Sequence, residues 1–299
     1  MSSVLSSLPP EIKEVSLAQN YPALQIETEQ CSATLALHGA HLTHWQPAHT
    51  AHPVLYTSPS VIYREGKAIR GGIPICWPWF NAHPTAPDKH PSHGVARNQF
   101  WKLTACSVEN GQVKIILTLP ATPEISAHVP FSYELEATFL IGTTCSINLT
   151  TINRSSQNQP LGGALHTYLA LSNISKTHIT GLQNTPYLDT TVTPEETNLQ
   201  EEENLIIAEE VDRIYYGTEN TLLLKDSQWN RVIEVSKENS LSTVIWNPWL
   251  EKATALADMP NEGFESFVCI EASNARHDTR ILAPSTSQQL CTTLAVNPL

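Results

Sequence analysis

No stretch of this 299-residue chain approaches the roughly 20 consecutive apolar residues that cross a bilayer. Its opening, MSSVLSSLPPEIKEV, has neither the basic start nor the continuous apolar segment of a secretory leader. Together these absences predict no membrane partner and a cytoplasmic location. Basic residues are scarce: 17 Lys and Arg stand against 29 Asp and Glu, a formal net charge of -12. Nucleic-acid binding rests on cations that neutralise phosphates, so no nucleic-acid partner is expected. A small phosphorylated ligand is not excluded, because one or two placed arginines suffice to hold it. Cysteines are few, at positions 31, 76, 106, 145, 269 and 291, and none forms a C-x-x-C pair. That spacing suits neither a zinc site nor a compact disulfide framework. H-E-x-x-H, P-loop and dinucleotide fingerprints are also missing. His38, His41 and His44 recur every third residue, but a turn at Gly39 followed by a strand sends His41 and His44 to opposite faces. No metal-ligand set and no cofactor is expected.

Helical periodicity is weak as well. Glu195–Glu210 is acidic and reads as a solvated loop and strand edge. Period-two alternation dominates instead. Phe131, Tyr133, Leu135, Ala137 and Phe139 alternate with Ser132, Glu134, Glu136 and Thr138. Similar patterns predict strands over 112–119, 146–152, 31–37, 41–46, 205–207, 221–224, 232–235, 242–246 and 288–296. Many strands punctuated by 21 prolines imply an all-β antiparallel sandwich. No repeat or linker is visible, so residues 1–299 are read as a single domain.

Two of the strands carry chemistry. In Ala164–Asn173, Leu165, Thr167, Leu169 and Leu171 share one face, while Ala164, His166, Tyr168 and Ala170 share the other. In Phe264–Ala272, Val268, Ile270 and Ala272 oppose Phe267, Cys269 and Glu271. A histidine and a glutamate at the apolar centres of strands each need a partner, because unpaired polar burial is costly. An imidazole facing a carboxylate is the minimum equipment for moving protons on a substrate.

Four further segments stand out. AIRGGIPICWPWF places Arg70 before a Gly-Gly pair and then a rigid Pro/Trp loop, either a ligand wall or a structural plug. PSHGVARNQFW sets His93 and Arg97 around Gly94. A guanidinium fork suits hydroxyl pairs, carboxylates or phosphates, although a single Arg is more often a surface ion pair. EVDRIYY puts Asp212 and Arg213 on opposite faces of a strand. VIWNPWL flanks a turn with Trp246 and Trp249, whose faces suit a sugar ring, although Trp is commoner in a core.

RGGIPICWPWF, SHGVARNQFW, LHTYLALSNI, EVDRIYY, VIWNPWLEKA and DMPNEGFESFVCIEAS occur in this order from about Gly39 to the C-terminus. Together they resemble the aldose 1-epimerase superfamily and, within it, the hexose-6-phosphate mutarotases, or glucose-6-phosphate 1-epimerases. The resemblance implies a galactose-mutarotase-like β-sandwich of two large antiparallel sheets with a sugar cleft on a concave face. It implies that His166 is the general acid and Glu271 the general base, and it aligns Arg70, Arg97 and Asp212 with substrate-binding positions. His93 falls in the same cleft motif. Val95, the run Asn81-Ala82-His83 and the acidic run Glu201–Glu203 depart from the usual pattern and bear on substrate preference. The expected protein is an isomerase that interconverts the α and β anomers of a hexose 6-phosphate, with a small-molecule sugar phosphate as its partner. Two alternatives stand beside it: a non-catalytic carbohydrate-binding or sugar-sensing protein, and an epimerase of an unphosphorylated aldose.

Overall fold

Alternation becomes pairing. In the computed structural model, which describes residues 8–299, the strands form two eight-stranded sheets, a four-stranded sheet and a two-stranded one. The first large sheet runs Thr177–Thr180, Leu222–Asp226, Arg231–Glu238, Ser287–Pro298, Cys145–Asn153, Tyr133–Ile141, Gln112–Thr118, Lys102–Glu109. The second runs Glu196–Gln200, Thr185–Asp189, Val211–Tyr216, Ser242–Asn247, Phe267–Asn274, Gly163–Leu165, Ile75–Cys76, and Tyr168–Ala170 also pairs with Phe267–Asn274. Neighbouring strands in both sheets are antiparallel, as in Phe139 opposite Ile147 and Ile245 opposite Ile270.

The inner faces of both large sheets meet in one core. Ile115, Leu117, Leu135, Phe139, Ile147, Ile233 and Leu294 of the first pack with Leu165, Leu169, Ile245, Val268 and Ile270 of the second. Fully burying such a side chain stabilises by roughly 1.5–3 kcal/mol, so this layer holds the sheets together. The four-stranded sheet of Ile12–Ser16, Pro22–Glu27, Cys31–Ala36 and His41–Pro47 adds Leu24, Ile26, Leu35 and Trp45 to the same core. Phe267 and Cys269 face the other way, into a smaller cluster with Tyr56, Tyr168, Ala253, Met259 and Phe264. Strand Phe267–Asn274 is buried along its whole length, so both of its faces are committed.

Some expectations change. The strand expected over 205–207 is reduced to a single bridge between Leu205 and Ile179, because the acidic run before it has no apolar face to bury. Phe264 lies in a short 3-10 turn, Gly263–Ser266, and the Glu271 strand starts only at Phe267. The His166 strand is broken: Gly163–Leu165 and Tyr168–Ala170 are separate, and Thr167 folds back to donate its N–H to the Leu165 carbonyl. A helix not expected from the sequence, Trp249–Ala255, follows the Asn247-Pro248 turn. No helix among the described residues is long and apolar enough to cross a membrane.

The Pro/Trp loop is both plug and wall. The Trp77 indole is buried and donates to the Thr151 hydroxyl at 2.9 Å, and Trp79 donates to the Pro91 carbonyl. Pro74 and Phe80, at the two ends of this loop, line a cleft instead. Thr151→Val should leave the Trp77 N–H buried and unpaired, which costs about 1–3 kcal/mol. Equilibrium urea unfolding measures this, and an unchanged midpoint would show that the bond contributes nothing.

Candidate active site

All six residues singled out in the sequence line one cleft of about 280 Å³: Arg70, His93, Arg97, His166, Asp212 and Glu271. They come from five segments separated in sequence: the second large sheet carries Asp212 and Glu271 and flanks His166, while Arg70, His93 and Arg97 reach the cleft from loops and a short turn. Glu271 lies opposite Val244 in its ladder, Asp212 lies opposite Trp246, and the His166 segment flanks the same Glu271 strand. The break at His166–Thr167 leaves the His166 N–H bonded to the Pro74 carbonyl, while Ile270 donates to the Thr167 carbonyl. Strand pairing therefore continues past the histidine while its ring stays in the cleft.

His166 Nδ1 lies 3.3 Å from Glu271 Oε1. The contact is close but not aligned as a hydrogen bond, and neither Glu271 oxygen has a protein donor among the described residues. Burial pushes the Glu271 carboxyl well above its ordinary range; Asp212 adds to this and Arg97 opposes it. Burial also lowers His166, to about 3, with Arg97 and Arg70 adding to the effect. Both groups are thus held towards their neutral forms. Tyr168 covers His166, with rings stacked at 4.9 Å and 10°.

His93 is fixed more firmly. Its main-chain N–H donates to the Asn81 carbonyl at 2.7 Å, and the Asn81 main-chain N–H donates to His93 Nδ1 at 3.2 Å. An Nδ1 that accepts leaves the ring proton on Nε2. Burial first, then Arg97, His166 and Arg70, keep this ring neutral. His93 therefore offers a neutral donor. Gly94, next in the chain, has φ +73° and passes so close to the Trp77 carbonyl that a Cβ would lie 1.9 Å from its oxygen. Only glycine permits that approach.

Arg97 belongs to the short turn Ala96–Asn98 and donates to the Ser92 carbonyl at 3.0 Å; its Nε has no acceptor among the described residues. Arg70 donates through Nε to Asp258 at 3.1 Å and through a terminal nitrogen to the Tyr168 hydroxyl at 3.3 Å. Burial raises the Asp212 carboxyl, against Thr190 and Lys252. Arg213 points away as expected, lying over the Tyr187 ring and 3.8 Å from Asp189. A neighbouring cavity of about 350 Å³, beyond Phe80 and Asn81, contains none of the six.

Known proteins share this chain's sequence pattern and fold. Residues 22–294 match the family described as aldose 1-epimerase. The chain belongs to the aldose 1-epimerase family. It is 32% identical to a protein of Escherichia coli K12 named "Putative glucose-6-phosphate 1-epimerase", over 86% of this chain and 84% of that one. A protein of the same name from the grass Cenchrus ciliaris is 30% identical, over 81% and 74%. The crystal structure of a "putative mutarotase (YeaD)" from Salmonella typhimurium superimposes with a TM-score of 0.90 at 29% identity, covering 98% of this chain and 96% of that one. A "galactose mutarotase related enzyme" from Lactobacillus acidophilus, at 14% identity, a TM-score of 0.71 and coverage of 92% and 97%, shows that the fold is shared. This chain is thus an epimerase, an isomerase with the galactose-mutarotase-like β-sandwich.

Six further residues of the epimerase cleft lie in or beside segments that the sequence marked without being chosen individually as site residues: Ala68, Ile69, Pro74 and Phe80 of the Pro/Trp segment, Asn81 just after it, and Val244 of VIWNPWL. Tyr168 and Trp246 also line it; alternation had placed Tyr168 beside His166, and the VIWNPWL segment had marked Trp246. Asp258 opens the DMPNEGFESFVCIEAS segment, but nothing in the sequence gave it a role at the cleft. A metal-capable grouping also appears that histidine spacing could not show. Nitrogen, sulfur and oxygen atoms of His166, Cys269 and Glu271 lie within 4.8 Å of one another. Burial, with Glu271 adding to it, raises the Cys269 thiol well above its ordinary range, which disfavours the thiolate that a metal requires. The epimerase should therefore keep its activity after exhaustive dialysis against EDTA. Loss of activity restored by a single metal ion would assign this grouping a catalytic role.

Proposed function

We propose that this epimerase interconverts the α and β anomers of a hexose 6-phosphate, with glucose 6-phosphate as the first substrate to test. The observation that carries the reading is the His166–Glu271 contact of 3.3 Å, in a cleft that also holds two arginines. The names of the relatives at 32% and 30% identity support the phosphorylated substrate.

The proposed chemistry is two coupled proton transfers. Glu271, as carboxylate, takes the proton of the C1 hydroxyl. His166, as imidazolium, gives a proton to the ring oxygen. The C1–O5 bond breaks as the O1–H electrons form the carbonyl. The open aldehyde turns about C1–C2, and the ring recloses with both transfers reversed. No further group is needed to balance the reaction. Burial favours the neutral pair, so the charged pair forms by moving one proton between neighbouring groups. A phosphate dianion at Arg70 and Arg97 offsets the positive field that drives the proton off His166. Trp246 supplies an aromatic face and Asp212 an acceptor for the sugar. A pure binder has no use for a buried carboxyl without a protein donor beside an imidazole, which favours catalysis over sensing.

Positioned acid–base groups contribute about 10²–10⁴-fold each. Glu271→Gln and His166→Asn should each lose mutarotation by that order while keeping the wild-type circular dichroism spectrum. Exchange NMR of glucose 6-phosphate measures the rate, and folded variants with near-wild-type rates would overturn the mechanism. Phosphate recognition is tested separately. A hydrogen bond to a charged group is worth about 1.5–3 kcal/mol. Arg70→Ala or Arg97→Ala should accordingly lower kcat/KM for glucose 6-phosphate roughly 10–100-fold, with little change for glucose. Equal losses for the two sugars would assign the arginines to ring hydroxyls.

A further inference from the structure

Arg70 is held at every point except the one that faces the cleft. Its carbonyl accepts the Ser58 N–H at 3.0 Å. The next residue, Gly71, has φ +110°, and a Cβ there would lie 2.4 Å from the Tyr56 carbonyl oxygen. The main chain thus has no freedom to move the arginine. Its side chain is fixed by two partners: Asp258 Oδ1 on Nε at 3.1 Å and the Tyr168 hydroxyl on one terminal nitrogen at 3.3 Å. Both ions are about three-quarters buried, at 24% and 22% exposure, so this is not a solvated surface pair. Burial alone would make Arg70 easier to discharge, but Tyr168 and Asp258 more than compensate.

Asp258 is itself anchored. It lies in a turn after helix Trp249–Ala255, closed by the Met259 N–H on the Leu256 carbonyl at 3.2 Å. Met259 is buried in the cluster that contains Tyr56, Tyr168 and Phe267. The carboxylate is therefore carried on an apolar anchor that also backs the Tyr168 ring.

We infer that Asp258 is a positioning residue for Arg70: it acts on the substrate only through the guanidinium, whose remaining N–H groups it directs into the cleft. The assignment rests on the proposed anomerisation of a sugar in this cleft. A guanidinium held by one edge loses less rotamer freedom on meeting an anion, and preorganisation of this kind improves binding. The effect belongs to a part of the substrate away from C1, so it should appear in KM.

The test is a double-mutant cycle on the full chain, using glucose 6-phosphate and glucose. Asp258→Ala should raise KM for glucose 6-phosphate about 10-fold with kcat within about twofold. Asp258→Asn, which keeps an oxygen acceptor for Nε, should recover most of the loss. In the Arg70→Ala background, Asp258→Ala should cost almost nothing more, because residues acting through one another are non-additive. Additive losses, or a loss confined to kcat, would overturn the assignment while leaving the functional reading intact. A loss that Asn does not recover and that follows a fall in melting temperature would reduce Asp258 to a structural role. A wild-type protein that neither binds nor anomerises either sugar would sink the functional reading, and this assignment with it.

Discussion

A buried carboxyl is the constraint around which this molecule is arranged. Glu271 is 1% exposed, in a strand buried over all eight residues, and has no protein donor on either oxygen among the described residues. Such a group is costly in a fold unless it stays neutral or meets a partner that enters from outside. The cost is borne by the layer beneath. Val268, Ile270 and Ala272 of the same strand lock into the core shared by both large sheets, so the strand cannot slip to expose its acid. A one-residue shift would exchange that apolar set with Phe267, Cys269 and Glu271. Register, core and acid placement are thus one decision.

Positioned around the carboxyl are groups whose own freedom has been removed. His166 is held by stacking on Tyr168 and by its N–H on Pro74; His93 is held in one tautomer by Asn81. Tyr168 has two duties, offering its ring to the histidine and its hydroxyl to Arg70. His166 and Arg70 are therefore in mechanical contact through a single phenol. In the proposed reaction that contact would set the distance between the reacting end of a sugar and its charged end.

Much of this was legible in the sequence, for a definite reason. Period-two alternation places side chains by parity, so Glu271 with Cys269 and His166 with Tyr168 could be put on non-core faces before any coordinates. The split of their neighbours between two apolar clusters agrees with that parity. Opposite facing of Asp212 and Arg213 follows from the same rule. What parity cannot give is a contact between segments far apart in the chain. Asp258 lies in an irregular turn and reaches Arg70 across 188 positions, and no local pattern encodes that meeting. The break at Thr167 was hidden because alternation continues through it, since Leu165 and Leu169 keep their parity. Helix Trp249–Ala255 was hidden because a stretch of seven residues after a proline turn shows too little periodicity.

The charge balance remains. A net charge of -12 has to be reconciled with the anionic substrate proposed above. Distance decides the matter. At physiological ionic strength, exposed charges are screened beyond about 8 Å, so acids spread over the surface exert little field inside a narrow cleft. Arg70 and Arg97 line that cleft, and Arg70 is largely removed from solvent, so their attraction is screened far less. The one acid in direct contact with a cleft arginine among the described residues, Asp258, takes only the Nε edge and leaves part of the guanidinium unpaired. Locally, then, two guanidiniums face the cleft of an acidic protein, beside Asp212 and a Glu271 carboxyl that burial holds towards neutrality. Burial dominates the pair beside them: it keeps His166 uncharged with the help of both arginines, and it keeps Glu271 neutral with the help of Asp212 and against Arg97.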